Sequence, residues 1–144
     1  MTNKEYGDYV AAKSPPSRVG ANLVRAFLVG GAICCVGQVI RTGYAGAGLS
    51  KELAAAATSV TLVFLGALLT GLKVYDRIAK FAGAGTLVPI TGFANSVVAP
   101  ALEFKTEGYV TGTAAKMFII AGPVLVFGVS ASVLYGIIYC LSTR

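Results

Sequence analysis

Histidine is absent from this sequence, and so is tryptophan. Without histidine the chain lacks the commonest general base and the commonest metal ligand. The three cysteines do not replace it. Cys34 and Cys35 are adjacent and Cys140 is remote, which fits neither a zinc-ligand spacing nor a disulfide framework. They read as small apolar packing residues. Carboxylates are scarce as well, six in all, and none is paired at metal-ligand spacing. Glu103 and Glu107 lie four apart and read as the solvated start of a helix, favoured by its dipole. Gly83-Ala84-Gly85 has no Lys-Ser or Lys-Thr behind it and is no phosphate loop. The expectation is a protein with no catalytic residue, no metal site and no cofactor.

Charge itself is sparse. Charged residues make up 12% of the chain and hydrophobic residues 56%, against roughly a quarter charged in soluble domains. Residues 53–72 and 117–139 carry no charge at all, and each run reaches the roughly 20 residues that cross a hydrocarbon core about 30 Å thick. A third run, 26–40, is shorter, but Arg25 and Arg41 at its ends can snorkel to opposite interfaces and complete the crossing. A cleaved signal peptide is not expected, because the first apolar run begins more than 20 residues in and lacks a small-residue cleavage pattern.

The net charge of +6 does not point to nucleic acid, since no basic stripe with interleaved aromatics accompanies it. Its Lys and Arg residues sit at span ends. With three spans, Lys4, Lys13, Arg18 and Arg25 share a side with the region 73–116, while Arg41, Lys51 and Arg144 face the other. The positive-inside rule then puts the amino terminus in the cytoplasm. The layout expected is a polar cytoplasmic arm over residues 1–21, with Pro15-Pro16, followed by one membrane domain over 22–144. Its spans fall at about 22–42, 52–73 and 107–141. A glycine-rich loop over 43–50 separates the first two, and Ser50 and Thr106 are placed to cap the second and last helices.

Small residues recur on each span at helical spacing: Gly30, Cys34 and Gln38 on the first, Ser59, Val63, Gly66 and Thr70 on the second. The last helix carries Gly108 and Gly112, then Gly128, Ser132 and Gly136. Such spacing lets helix backbones approach closely where lipid supplies no hydrophobic drive. Helix packing explains it at least as well as a lined conduit, and three spans cannot readily enclose a pore without partner subunits.

The most informative stretch is 81–102, FAGAGTLVPITGFANSVVAPAL. It holds no charge, yet Gly83, Gly85, Pro89, Gly92 and Pro100 deny it a continuous helix. Interrupted backbone at membrane depth persists only where protein buries it or where it lines a watery cavity. Thr86, Thr91, Asn95 and Ser96 supply neutral polar groups of the kind that coordinate ions in transporters with discontinuous helices. Lys73, Arg77 and Lys80 stand at its mouth as anion-attracting cations, and Asp76 is placed to pair with Arg77 or to meet a cation. The pathway expected from these residues comprises Gln38, Asp76, Arg77, Gly83, Gly85, Pro89, Thr91, Asn95 and Ser96. A re-entrant hairpin that merely fills space is the plainer alternative.

Three segments resemble the stage V sporulation protein AC/AEb family: AFLVGGAICCVGQ (26–38), GALLTGLKVYD (66–76) and FAGAGTLVPITGFANS (81–96). The resemblance runs from about residue 20 to the end of the chain. The polar arm with Pro15-Pro16 and the GFANS run are more similar to the AC branch than to the shorter AEb branch. It implies a location in the bacterial spore inner membrane and a role in moving dipicolinic acid, with calcium, into the spore core and out at germination. It also implies an AEb-type membrane paralogue and a soluble thiolase-like AD subunit as partners. No site residues come with it.

The fold expected is therefore an all-α integral membrane protein, with three full transmembrane helices plus one re-entrant or broken membrane helix. The function expected is a subunit of a hetero-oligomeric dipicolinate channel. The rivals are a scaffold subunit that recruits the soluble partner without lining the pathway, and a tension-gated pore of low selectivity.

Overall fold

The computed structural model describes residues 2–14 and 18–143. Pro15, Pro16 and Arg144, all used above, lie outside the described residues. No strand occurs among those described, and three helices are long and apolar enough to cross a membrane. The protein is an all-α membrane protein with three spanning helices and a broken fourth segment.

The amino-terminal arm contains a helix, α1 (Asn3–Lys13). A capping box starts it: the Thr2 amide donates to Glu5 Oε2 at 2.8 Å and the Glu5 amide donates back to Thr2 Oγ1 at 3.3 Å, which satisfies two of the first-turn donors.

The first span, α2 (Val19–Gly46), has 28 residues, so it is about 42 Å long and outruns the hydrocarbon core at both ends. It therefore absorbs half of the loop expected over 43–50. Its stop is a Schellman closure: Gly48 turns left-handed at φ 91°, its amide donates to Ala45 O, and the Leu49 amide donates to Tyr44 O. Glycine fits that position without a Cβ penalty. The second span, α3 (Lys51–Gly71), begins where Ser50 Oγ accepts from the Leu53 amide at 3.3 Å. The pair is cross-linked near the loop by Tyr44 Oη and Thr61 Oγ1, 2.9 Å apart.

The broken segment is a hairpin. A short amphipathic helix, α4 (Tyr75–Ala82), leads into a 3-10 turn at Gly83–Thr86 and then into α5 (Ile90–Glu103). Tyr75 and Ala82 are buried on the inner face of α4 while Asp76, Arg77 and Lys80 are exposed on the outer one, the pattern of a helix lying at a membrane interface. Phe81 sits beneath the Arg25 guanidinium, 5.1 Å from its ring centroid. From there α5 follows α3 in the same direction: Thr91 and Ala94 pack on Gly66, and Asn95 reaches Thr70. Glu103 then shares a cavity with Lys73. The two ends of the hairpin lie together at one end of α3, and its tip, Pro89, lies with Gln38 and Thr58 deeper in the bundle.

The last span does not begin at a Thr106 cap. Lys105–Glu107 forms a 3-10 turn, Gly108 reverses the chain at φ 97°, and a wide π turn at Tyr109–Ala114 runs into α6 (Ala115–Ser142). The cause is close packing: a methyl at Gly112 would lie 2.8 Å from Glu107 Cβ and 2.9 Å from its carbonyl carbon. Lys116 rests 4.4 Å over the Phe104 ring, which fixes α6 beside α5. Beyond Ala121 the side chains of α6 are almost all exposed within one chain.

Candidate functional site: a polar vestibule

The hairpin borders an open cavity of about 400 Å³ between the carboxyl end of α3, the start of α4 and the far half of α5. Thr70, Lys73, Asp76, Asn95, Ala99, Leu102 and Glu103 line it. Three residues expected to serve a pathway or its mouth, Lys73, Asp76 and Asn95, are thus brought to one place.

The floor is a polar junction. Thr70 Oγ1 lies 2.7 Å from Gly66 O and 2.9 Å from the Asn95 side-chain amide. A hydroxyl carries one proton. If it went to Asn95, two oxygens would face each other at Gly66 with no hydrogen between them. With the Thr70 hydroxyl donating to Gly66 O and the Asn95 amide turned to donate to Thr70 Oγ1, both contacts are satisfied. Such flips are settled by the network, and this one leaves the Asn95 carbonyl oxygen uncommitted.

Lys73 is the only described non-glycine residue with positive φ, at 58°. It occupies the left-handed position of a second Schellman closure: its amide donates to Thr70 O and the Val74 amide donates to Leu69 O, each at 2.9 Å. That position belongs to glycine in most helices, and a lysine there carries strain on the order of 1 kcal/mol. The residue lines the cavity and is exposed.

The other cations behave differently. Asp76 pairs with Lys80 at 2.9 Å, both largely exposed, and not with Arg77, because residues four apart on a helix share a face whereas neighbours do not. Arg77 is exposed on the outer side of α4.

Several expected pathway residues shape the backbone. Gly83 turns the chain at φ 54° and is exposed. Gly85 is buried against Ala26, where a methyl would overlap the Ala26 carbonyl oxygen. Thr91 is 7% exposed and is held by Tyr75 Oη at 3.2 Å, the same hydroxyl that donates to Thr86 O. Ser96 donates to Phe93 O at 2.7 Å and lines a smaller cavity of about 270 Å³ beside Ile120 of α6. Gln38 and Pro89 meet in a separate cavity of about 350 Å³ that also involves Cys34, Arg41, Thr58 and Ser59. Gly112, in the π turn before α6, is packed, while Gly128 and Gly136 on α6 have nothing within 4 Å.

Tyr75 escaped the sequence reading because a lone aromatic next to charged residues carries no periodic signal. Glu103 was read only as a helix start; its place in the cavity follows from α5 turning back, which no local pattern announces.

The chain matches the family model described as SpoVAC/SpoVAEB sporulation membrane protein over residues 22–138. It is similar to Stage V sporulation protein AC of Bacillus subtilis (strain 168), 47% identical over 141 residues, covering 96% of this chain and 94% of that protein. No solved structure matches.

Proposed function

This chain belongs to the SpoVAC/SpoVAEB family of sporulation membrane proteins, and on that premise we propose that it is a subunit of a hetero-oligomeric channel that carries dipicolinic acid, with calcium, across the spore inner membrane. Uptake serves sporulation and release serves germination. The observation that carries this reading is the vestibule: a strained Lys73, the Asn95 side-chain amide and Glu103 around about 400 Å³, beside interrupted backbone. A lysine held in the left-handed region against its preference fits a side chain used for binding. The dicarboxylate meets Lys73, and oxygens of Asn95 and Glu103 suit a hard cation such as calcium.

The exposed cations keep the amino terminus and the hairpin ends on the cytoplasmic side. One chain with three spans lines part of a pathway, and an AEb-type paralogue completes it; the exposed far half of α6 is available for that contact. A soluble AD-type subunit docks on the cytoplasmic face. The outer face of α4, with Arg77 and the Asp76–Lys80 pair exposed, favours a second role as that subunit's platform.

The test is dipicolinate accumulation in sporulating cells carrying Asn95→Leu, Lys73→Gln or Arg77→Glu, with membrane levels of the protein measured in parallel. Loss of accumulation at normal protein level for Asn95→Leu and Lys73→Gln is expected. Normal accumulation in both would sink the channel reading. Failure of Arg77→Glu alone, with loss of the soluble subunit from membranes, would favour the platform.

A further inference from the structure

We propose that the α4–α5 hairpin forms a thin septum between two vestibules, and that one seam, Gly66 against Thr91 and Ala94, is the barrier between them. The inference rests on the reading that a pathway runs along this chain.

The residues of α3 at 58, 62, 66 and 70 lie four apart and so fall on one face. Thr58 and Leu62 belong to the cavity that holds Gln38 and Arg41. Thr70 belongs to the cavity that holds Lys73 and Glu103. Between them, at Gly66, there is no room. A methyl there would stand 2.9 Å from Thr91 O, 3.0 Å from Thr91 Cα and 3.2 Å from Ala94 Cβ. Leu62 and Thr70 are separated by about 12 Å of helix rise, under half of a hydrocarbon core about 30 Å thick. The two vestibules therefore cover most of the crossing, and α5 against Gly66 closes the rest.

The seam is built to release. Besides the packing on Gly66, two side-chain hydrogen bonds hold the first half of α5 to its neighbours, Asn95 with Thr70 and Thr91 with Tyr75. Gly83 and Gly108, both at positive φ, stand before and after α5. They are natural hinge positions, since a few element-terminal residues absorb the dihedral change when a segment moves.

The native Cys34 lines the Gln38 cavity and serves as a probe. In native membranes carrying the full assembly, with Cys35→Ala and Cys140→Ala, a membrane-impermeant thiol reagent should modify Cys34 only from the side of the α2–α3 loop. In the same background with Cys34→Ala, it should modify Glu103→Cys only from the opposite side. Adding Gly66→Ala to the Cys34 background should let reagent from the Glu103 side reach Cys34 at least tenfold faster. Tyr75→Phe, which removes only a hydroxyl, should do the same to a smaller degree and covers the case where Gly66→Ala does not fold. Labelling of Cys34 from both sides in the parent, or an unchanged Cys34 rate in folded Gly66→Ala and in Tyr75→Phe, would overturn the septum. Dipicolinate flux is scored separately: opposite-sided labelling without flux refutes the conduit and leaves the septum standing.

Discussion

Gly85 sits directly on the backbone of Ala26, so close that a methyl group would lie 2.7 Å from Ala26 Cα and overlap its carbonyl oxygen. Two backbones in contact at the hairpin entry leave no side chain to yield. Gly85→Val should therefore cost more than the 1–3 kcal/mol, roughly, of ordinary overpacking and remove folded protein from the membrane. Gly43→Ala, in α2 with nothing within 4 Å, should not. The check is the amount of protein surviving detergent extraction and mild heating, compared between the two variants.

The Thr70–Asn95 contact is a part-buried interhelical link between α3 and α5. Double-mutant cycles across such links in membranes give on the order of 0.6 kcal/mol and up to about 1.7. Thr70→Val and Asn95→Leu should each lower thermal stability, and the double variant should fall less than their sum by that amount. A strictly additive result would show that the two side chains do not support each other.

Lys73 separates stability from function. Replacing it with glycine relieves a left-handed lysine worth about 1 kcal/mol while deleting the vestibule's cation. Lys73→Gly should raise the unfolding temperature by a few degrees and lower dipicolinate accumulation. A variant that gained stability and kept full accumulation would remove Lys73 from the binding site and leave it an accident of the helix end.

The three spanning helices were legible because long uncharged runs flanked by Lys and Arg leave few alternatives. The interruption over 81–102 was legible for the same kind of reason: the chain breaks at Gly83 and Pro89, although Gly92 and Pro100, expected to break it too, lie inside α5. What the run does in space was not. Whether α5 crosses or turns back depends on Gly66 receiving Thr91 and on Thr70 receiving Asn95, contacts between residues 25 apart in sequence. Gly85 looked like a pathway residue for its composition, yet its backbone is what Ala26 requires. The π turn at Tyr109–Ala114 was hidden because Thr106 offers a plausible cap to any local reading, and only Gly108 and the packed Gly112 displace it.

The small residues expected on the last span divide into two kinds, one in the π turn and one on α6. Gly112 is buried, with Glu107 Cβ 2.8 Å from where its Cβ would stand, whereas Gly128 has nothing within 4 Å. Both read alike in the sequence. Gly112→Leu should unfold the start of α6 and cost several kcal/mol, because backbone and side chain cannot share that space. Gly128→Leu should leave the isolated chain within about 0.5 kcal/mol of the parent, as for other exposed positions. Thermal unfolding of the purified chain in detergent tests both. Native gels of the membrane assembly then ask a different question of Gly128→Leu: loss of the larger species at unchanged single-chain stability would mean that the stripe 128, 132, 136 is covered by another helix there, as small residues at that spacing allow.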